Sequence, residues 1–334
     1  MKRKRKLWMV AGIFLAIFLS VPVMASQETK NPDLHVTTPT PEAPQVTPSP
    51  TPVPVKNGLK KEGGKYYYYV KGKKVKSKWI NNKANGKRYY FSSKGYAVTY
   101  SAMIDKKLYV FNTKGQLIRP KKSSIVKVGK NSYYVNTKGI ASTGWLKISN
   151  KLYYADSKGR FYKNKKYQGV LFTSSGAAKK NDAAQLKLKT MTLVPQITRG
   201  CKKKSQKLQK CWNYVVGNVR YFSYYPNINK LGWQKSTALY TLGNLRGNCY
   251  GYACAFAALA SEVGYDPYVI CGRVSGNRDG APDGLTRHCW VKINGRYYDP
   301  EAHAKGWMRN VYGSYGYNIT HTIQKTVNFK NSNP

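Results

Sequence analysis

The sequence between residues 57 and 180 repeats a short aromatic unit that closes on a glycine, and this repeat restricts the possible folds more than any other feature. The closing glycines lie 17 to 24 residues apart. Aromatic runs that end at turn glycines with such a period are typical of short β-hairpins, and a lone hairpin is too small to be stable. The sequence therefore predicts an all-β solenoid of stacked hairpins. The six units are YYYYVKG (66–72), YYFSSKG (89–95), LYVFNTKG (108–115), YYVNTKG (133–139), LYYADSKG (152–159) and VLFTSSG (170–176).

These units resemble the cell-wall-binding repeats of choline-binding and glucan-binding surface proteins, and the Thr-Gly-Trp at 143–145 is the best-matching fragment. The repeats also carry about 30 Lys and Arg residues against three acidic ones. Because tyrosine faces stack on sugars and lysines neutralise anions, we expect binding to anionic wall glycans and peptidoglycan. Alternatively, the aromatic side chains only form the core of the solenoid, and the lysines only interact with solvent. The candidate ligand-contacting aromatics are Trp79, Tyr90, Tyr109, Tyr134, Trp145 and Tyr154.

The charge of the whole chain also indicates anionic partners. Its 334 residues include 58 Lys or Arg and 13 Asp or Glu, which gives a formal net charge of +45. Such a surface attracts nucleic acid, anionic lipid or the anionic polymers of a bacterial wall. The N-terminus favours the wall, because residues 1–25 have the cationic, apolar and small-residue regions of a secretory signal peptide. An uncleaved membrane anchor is the alternative, although the apolar run at 7–19 is short for one.

Export argues against nucleic acid as the partner and predicts a secreted protein with no permanent membrane span after signal removal. The wall-binding repeats favour the cell wall or surface of a Gram-positive bacterium. Residues 26–56 are rich in Pro and Thr and predict a disordered, extended linker. The solenoid is assigned to 57–180. Beyond residue 181 the repeats stop and helical periodicity begins. The sequence therefore predicts a second domain of mixed α+β type at 181–334.

The six cysteines include no C-x-x-C pair, so a zinc ribbon has no support. Export permits a disulfide between Cys201 and Cys211, which would close a short loop. The other cysteines, Cys249 excepted, are expected to be small buried hydrophobes. They are Cys254, Cys271 and Cys289.

Three short motifs in the second domain carry the chemistry. A Gly-Asn turn leads into CYGYACAFAALASEV, an Ala-rich helix whose first turn holds Cys249, where free backbone amides favour a thiolate. His288 lies in a strand, RHCWVKI, that an Asn-Gly turn joins to RYYDP. Alternation then puts His288 and Trp290 on one face, with Asp299 in diagonal reach of the imidazole. Asp299 could instead be only a turn residue before Pro300.

In order, type and spacing, GNC (247–249), HCW (288–290) and YYDP (297–300) resemble the transglutaminase-like superfamily, whose fold is papain-like. The resemblance spans about residues 200–305. It implies that Cys249 is the nucleophile, His288 the base and Asp299 the group that orients the imidazole. His303 is a weaker alternative because it has no strand context. The amide of Cys249 is a natural oxyanion donor, and the side chains that could supply a second one are Trp212, Trp233 and Gln234.

By that resemblance, the protein is a cysteine enzyme that forms a thioester on Cys249 from an amide of a peptide or protein substrate. If water attacks the thioester, the protein is a peptidase or amidase, which we favour slightly. If an amine attacks, it is a cross-linking transglutaminase. A third reading is an inactive protein that only binds the wall or serves adhesion. The sequence predicts no cofactor and no metal, since it has neither an acidic cluster nor a histidine pair at ligand spacing.

Overall fold

A computed structural model describes residues 54–331. The predicted signal peptide, 1–25, and most of the predicted linker, 26–56, lie outside the described residues. The first thirteen elements are all strands, and they form one three-stranded antiparallel sheet and five two-stranded hairpins. They are β1 (Gly58–Glu62), β2 (Lys65–Val70), β3 (Lys73–Lys74), β4 (Lys78–Asn82), β5 (Lys87–Phe91), β6 (Tyr100–Ile104), β7 (Lys107–Phe111), β8 (Ser124–Val128), β9 (Asn131–Val135), β10 (Gly144–Ile148), β11 (Lys151–Ala155), β12 (Lys166–Tyr167) and β13 (Val170–Leu171).

The repeated glycine lies in a turn that follows the second strand of each hairpin. Gly115, for example, has φ of +77°, and a Cβ there would lie 2.7 Å from the Cβ of Ala97. The turn is closed by Asn112, whose Oδ1 accepts from the amides of Lys114 and Gln116 at 2.9 Å each. A polar side chain and a glycine at these positions therefore explain why the unit ends as it does.

Each hairpin is hydrogen-bonded to the preceding one through the residue that follows the turn. The amide of Ala97 donates to the carbonyl of Tyr66 at 2.7 Å, and that of Ala141 to Leu108 at 2.7 Å. Leu117, Phe161 and Ala178 donate in the same way to Arg88, Ser132 and Leu152. Consecutive hairpins are thus in direct contact, and the N-terminal region is hairpin-rich as predicted. The assignment of the whole array as a solenoid stays a prediction.

Helices dominate the chain from residue 182 onward, and none of the helices within residues 54–331 is long and apolar enough to cross a membrane. The elements are α1 (Asp182–Ile197), α2 (Lys204–Asn218), β14 (Arg220–Tyr221), α3 (Trp233–Asn244), β15 (Arg246–Gly247), α4 (Cys249–Val263), β16 (Tyr268–Ser275), β17 (Leu285–Ile293), β18 (Arg296–Tyr298), α5 (Pro300–Lys305), β19 (Tyr312–Ser314) and β20 (His321–Asn328). Five of the strands form an antiparallel sheet in the order β19-β18-β17-β16-β20.

Helix α4 forms the centre of this region, and every residue from Cys249 to Ala260 is buried. It begins at the cap Asn248 and ends at Gly264, whose φ of +103° an L side chain rarely adopts. Small side chains allow close packing against α3, because the Thr241 side chain occupies the space beside Gly251. The Ala-rich composition therefore gives a helix that packs on all sides.

The structure corrects two sequence-based expectations. The run VRYFSYYP (219–226) after α2 has the composition of a strand, but only its residues Arg220–Tyr221, β14, form one. The disulfide expected between Cys201 and Cys211 is absent, since all six cysteines are free. Cys211 is fully buried in the main apolar core, and this burial raises the pKa of its thiol to about 12. As expected, Cys254, Cys271 and Cys289 are buried in the same core.

Candidate functional site

Cys249 is the first residue of α4 and is 1% exposed. The side chain of Asn248 caps the helix by accepting from the Tyr250 amide at 3.2 Å. Strand β15 ends at Gly247, which pairs in parallel register with Tyr221 of β14. The Gly-Asn-Cys turn is therefore held from both sides, by a helix cap and by a short strand pair.

His288 and Asp299 form a hydrogen bond between Nε2 and Oδ2 at 2.7 Å, and both side chains are fully buried. The geometry follows from the tight hairpin of β17 and β18, in which Val291 pairs with Tyr298 across the Asn-Gly turn. Asp299 lies one residue beyond β18 and caps α5, where its Oδ1 accepts from the Ala302 amide at 3.0 Å. Asp299 thus follows the end of a strand, caps a helix and forms a hydrogen bond with the imidazole.

The second ring nitrogen of His288, Nδ1, makes no hydrogen bond of ordinary geometry with residues 54–331. Burial alone would lower the pKa of His288, but the charge and hydrogen bond of Asp299, with a further contribution from Cys249, raise it well above its usual value. The Cys249 thiol is thus among the groups that act electrostatically on the ring. A carboxylate on one nitrogen and a thiol near the imidazole are what an ion pair between thiolate and imidazolium requires.

Two residues that the sequence motifs did not indicate complete the surroundings of the imidazole. Tyr317 donates its hydroxyl to Asp299 Oδ2 at 2.7 Å and stacks on Trp290 with ring centres 4.5 Å apart. Glu301 is 2% exposed, and its Oε2 lies 4.0 Å from His288 Nδ1. Burial raises the pKa of Glu301, against the opposing effect of the His288 charge. Only its position two residues after Asp299 could have pointed to Glu301, and Tyr317 lies in no recognisable pattern.

The outer wall of the site includes Trp307, which is 41% exposed. Its ring contacts that of His288 edge-on at 5.1 Å between centres, and its Nε1 donates to Glu301 Oε2 at 3.1 Å. Glu301 therefore fixes the orientation of an indole that covers the imidazole.

His288, Asp299 and Glu301 are also the one group within residues 54–331 that could hold a metal ion, with one ligand atom from each within 4.8 Å of the others. Their atoms are largely used by the protein itself. Asp299 Oδ2 accepts from His288 and Tyr317, and Glu301 Oε2 accepts from Trp307. The donor set therefore fits a hydrogen-bonded network better than a metal centre.

The three candidates for a second oxyanion donor differ in their surroundings. Trp212 packs in the core against Phe256 and Tyr298. Trp233 Nε1 and Gln234 Nε2 are buried donors without a hydrogen-bond partner among the described residues. The last two thus keep a free donor, whereas Trp212 is a packing residue.

Among the described residues, the side chains of the other two histidines make no hydrogen bond to this network, although the His321 ring packs edge-on against Tyr317 and Trp290 with ring centres 5.2 and 5.7 Å away. His303 is exposed on α5 and contacts Trp212, while His321 lies in β20 and its Nδ1 is 2.7 Å from the carbonyl of Ile319. His35 lies outside the described residues.

The six candidate wall-ligand aromatics are all half-buried and fall into two clusters, with Tyr134 apart from both. Trp79 contacts Tyr90 and Tyr109 with ring centres 5.2 and 4.9 Å away, and the Arg88 guanidinium lies 4.5 Å from its ring centre. Trp145 contacts Tyr154 at 5.1 Å. The Trp79 ring therefore already contacts a cation of the chain itself, and the Trp145 ring does so too.

The cation at the second cluster belongs to α1. The Lys187 ammonium lies 5.3 Å from the Trp145 ring centre and 2.7 Å from a carboxylate oxygen of Glu262 in α4. This chain of contacts joins the repeat region to the helix that begins at Cys249.

Comparison with known proteins agrees with both parts of the chain. Residues 191–310 match the sequence profile of the transglutaminase-like superfamily, and residues 143–161 match that of the choline-binding type of cell wall binding repeat. No curated protein matches the chain.

Among solved structures, the chain is similar to choline binding protein F from Streptococcus pneumoniae, with 26% identity over 37% of this chain and 41% of that one and a TM-score of 0.27. It is similar to CbpJ from Streptococcus pneumoniae TIGR4, with 22% identity over 38% and 46% and a TM-score of 0.27. It is also similar to truncated alternansucrase from Leuconostoc mesenteroides, with 30% identity over 36% and 11% and a TM-score of 0.25. The chain therefore spans less than half of each of these proteins.

The resemblance predicted from the three motifs and the aromatic repeats is confirmed: residues 191–310 match a transglutaminase-like core, and the hairpin-rich region before it contains a cell wall binding repeat.

Proposed function

We propose that this protein is a cell-wall-associated cysteine enzyme that cleaves or transfers amide acyl groups through a thioester on Cys249. The observation that carries the proposal is the 2.7 Å hydrogen bond from His288 Nε2 to Asp299, which leaves Nδ1 without a hydrogen bond to any described residue. The Cys249 thiol also contributes to the raised pKa of His288. An imidazole held at one nitrogen and open at the other is arranged to accept a proton and return it.

In the first half of the reaction, the Cys249 proton passes to His288 Nδ1 and the thiolate attacks the amide carbonyl carbon. The resulting oxyanion is stabilised by the Cys249 amide at the start of α4 and by a second donor, for which Gln234 and Trp233 are the candidates. The tetrahedral species then collapses. The C–N bond breaks, the imidazolium protonates the leaving amine, and the acyl group stays on sulfur as a thioester.

In the second half, a nucleophile attacks the thioester carbon while His288 takes its proton, and the C–S bond breaks. The sulfur leaves as a thiolate and the triad returns to its starting charge. With water the product is a carboxylic acid, and with an amine it is a new amide. Hydrolysis is slightly favoured because bacterial members of the superfamily are often hydrolytic, and cross-linking of protein glutamine is the alternative.

The repeat region would hold the enzyme on the wall, consistent with the cell wall binding repeat at residues 143–161. Of the two aromatic clusters, the one around Trp79 is the better candidate for a sugar or anionic glycan. Its cation, Arg88, is exposed, whereas Lys187 at Trp145 is also ion-paired to Glu262. The many lysines of this region would neutralise wall phosphate or carboxylate.

Selective alkylation tests the enzymatic part of the proposal. We expect iodoacetamide to label Cys249 at least tenfold faster than the other cysteines, whose burial raises the thiol pKa in Cys211, Cys254 and Cys289. The Cys249→Ala variant should lose the fast phase, and Cys201→Ser should keep it. Equal and slow labelling of all six cysteines would favour the inactive wall-binding protein instead.

The products separate hydrolysis from transfer. The protein is incubated with peptidoglycan stem peptides and, in parallel, with a glutamine-donor protein and a fluorescent amine. Free cleavage products indicate a peptidase or amidase, and covalent fluorescence indicates a transglutaminase. Both should be absent with Cys249→Ala.

Retention on purified walls tests the anchoring part. Binding should weaken with added salt and after chemical removal of teichoic acid, because it depends on neutralised anions. Retention that is indifferent to both treatments contradicts the electrostatic role of the lysines.

A further inference from the structure

One arginine near the candidate active site has no acidic partner among the described residues. The loop between β16 and β17 carries Arg278, and the arginines on either side of it are paired: Arg273 with Asp283 at 2.8 Å, and Arg287 with Asp279 at 3.0 Å. Arg278 is exposed and forms no ion pair with any carboxylate of residues 54–331. Its charge is therefore available to a ligand.

Arg278 is nevertheless held in place by the two segments that carry the motifs. Its Nη1 donates to the Tyr221 hydroxyl at 3.1 Å, and Tyr221 is the register partner of Gly247, two residues before Cys249. Its Nη2 donates to the carbonyl of Arg287, the residue before His288, at 3.3 Å. A guanidinium has five N–H donors, so these two contacts leave others free.

The charge of Arg278 is within electrostatic reach of the thiol. Partial burial alone would lower the pKa of this guanidinium, but the negative charges of ionised Tyr221, Cys249 and Glu301 raise it. A second cation lies on the same side, since the Lys305 ammonium is 5.2 Å from the centre of the Tyr221 ring. This rim of the site is thus positively charged, and the Tyr221 ring lies beside both cations.

We propose that Arg278 is a specificity-determining residue that binds a carboxylate of the acyl donor next to the amide attacked by Cys249. The substrate class is then a peptide with a free carboxylate close to the scissile amide. A planar guanidinium with free N–H groups matches a carboxylate in shape and charge. The inference rests on the proposed function, because it assumes that Cys249 is the attacking group.

Two alkylating reagents of similar size test the charge without any knowledge of the substrate. Iodoacetate carries a carboxylate, whereas iodoacetamide is neutral. The rate of alkylation of Cys249 by iodoacetate, divided by the rate with iodoacetamide, therefore reports the local charge. We expect Arg278→Gln to lower this ratio about fivefold. Arg119→Gln, which removes one exposed charge from the repeat region, should leave the ratio unchanged. The same ratio in the parent protein and Arg278→Gln would overturn the proposal.

Matched peptides test recognition of the substrate. Pairs of acyl-donor peptides differ only in a carboxylate or a carboxamide next to the scissile amide. The parent protein should prefer the carboxylate member about tenfold in kcat/KM, and Arg278→Gln should reduce this preference to near one. Arg278→Lys should retain part of it. No preference in the parent protein would contradict the inference.

These outcomes are distinguishable from failure of the proposed function. If iodoacetamide labels Cys249 no faster than the other cysteines, the enzymatic proposal fails, and this inference fails with it. If iodoacetamide labels Cys249 rapidly but the reagent ratio does not depend on Arg278, only the inference about Arg278 fails.

Discussion

The Tyr317 hydroxyl donates to Asp299 Oδ2 at 2.7 Å, and this oxygen also accepts from His288 Nε2 at 2.7 Å. Tyr317 lies almost parallel to Trp290, with an interplanar angle of 10°. The carboxylate is thus satisfied by a tyrosine from a loop, a histidine from a central strand and a helix amide. A fully bonded, buried carboxylate is a rigid support for an imidazole.

We expect Tyr317→Phe to lower kcat about tenfold, because Asp299 loses one of its hydrogen bonds and holds His288 less firmly. The free energy of unfolding should fall by about 1 kcal/mol. Enzyme kinetics and urea unfolding measure the two effects. Tyr268→Phe, on an exposed tyrosine of β16, is the matched control and should change neither. Equal activity in both variants would show that the hydroxyl does not support the triad.

Asp299→Asn should shift the upper limit of the pH profile of kcat/KM to lower pH. The Asp299 charge and hydrogen bond raise the pKa of His288, so their loss lets the imidazolium lose its proton earlier. The asparagine keeps an oxygen for the Ala302 amide, so the cap of α5 is preserved. Asp283→Asn, at an exposed ion pair, is the control. An unmoved upper limit in Asp299→Asn contradicts the assigned role.

The pair formed by His288 and Asp299 also predicts how the stability of the protein depends on pH. A histidine whose pKa is raised by folding contributes stability that is fully present below its unfolded pKa of about 6.5 and is lost as pH rises through the folded value. The free energy of unfolding of the parent protein should therefore exceed that of Asp299→Asn by about 3 kcal/mol near pH 6. The difference should shrink at alkaline pH, as followed by urea unfolding.

Glu301 and Trp307 can be separated by two substitutions. Glu301→Gln keeps an oxygen that accepts from Trp307 Nε1 but removes the charge 4.0 Å from His288 Nδ1. We expect it to move the upper pH limit of kcat/KM downward by roughly one unit or less. Trp307→Phe removes the indole N–H donor and part of the ring that packs on His288, but no charge, so kcat/KM should fall while the pH limit stays. If Glu301→Gln keeps both the kcat/KM and the pH limit of the parent protein, whereas Trp307→Phe lowers kcat/KM, then Glu301 serves only to orient the indole.

Gly251→Ala tests the packing that holds the first turn of α4. A Cβ at residue 251 would lie 2.7 Å from Thr241 Oγ1, whereas one at Gly243 would have nothing within 4 Å. We expect Gly251→Ala to cost about 1–3 kcal/mol of stability and to slow alkylation of Cys249. Gly243→Ala, also inside a helix, should instead stabilise by up to about 1 kcal/mol. Thermal unfolding with labelling kinetics measures both.

The local sequence was sufficient to predict those parts of the site that depend on local structure. Helix α4 has the predicted bounds because an asparagine cap precedes a run of small residues and Gly264 follows it. The Asn-Gly turn sets the register of β17 against β18, and this register brings Asp299 to His288. The assignment of catalytic roles and of the domain boundaries stays a prediction.

Only the tertiary structure places Tyr317, Glu301 and Arg278 around the candidate triad. Tyr317 bonds to Asp299, Glu301 lies 4.0 Å from His288 Nδ1, and Arg278 donates to the residue before His288. Tyr317 reaches Asp299 from a segment 18 residues away, through a sheet whose strand order is not that of the chain. Arg278 meets the site through β14 and β17, which lie far apart in the sequence. Local periodicity and turn residues carry information over a few positions, so the chain alone determined the hairpins, the helix and the triad candidates. Contacts between distant segments depend on how the apolar faces pack together, and that packing decided which polar groups surround Cys249 and His288.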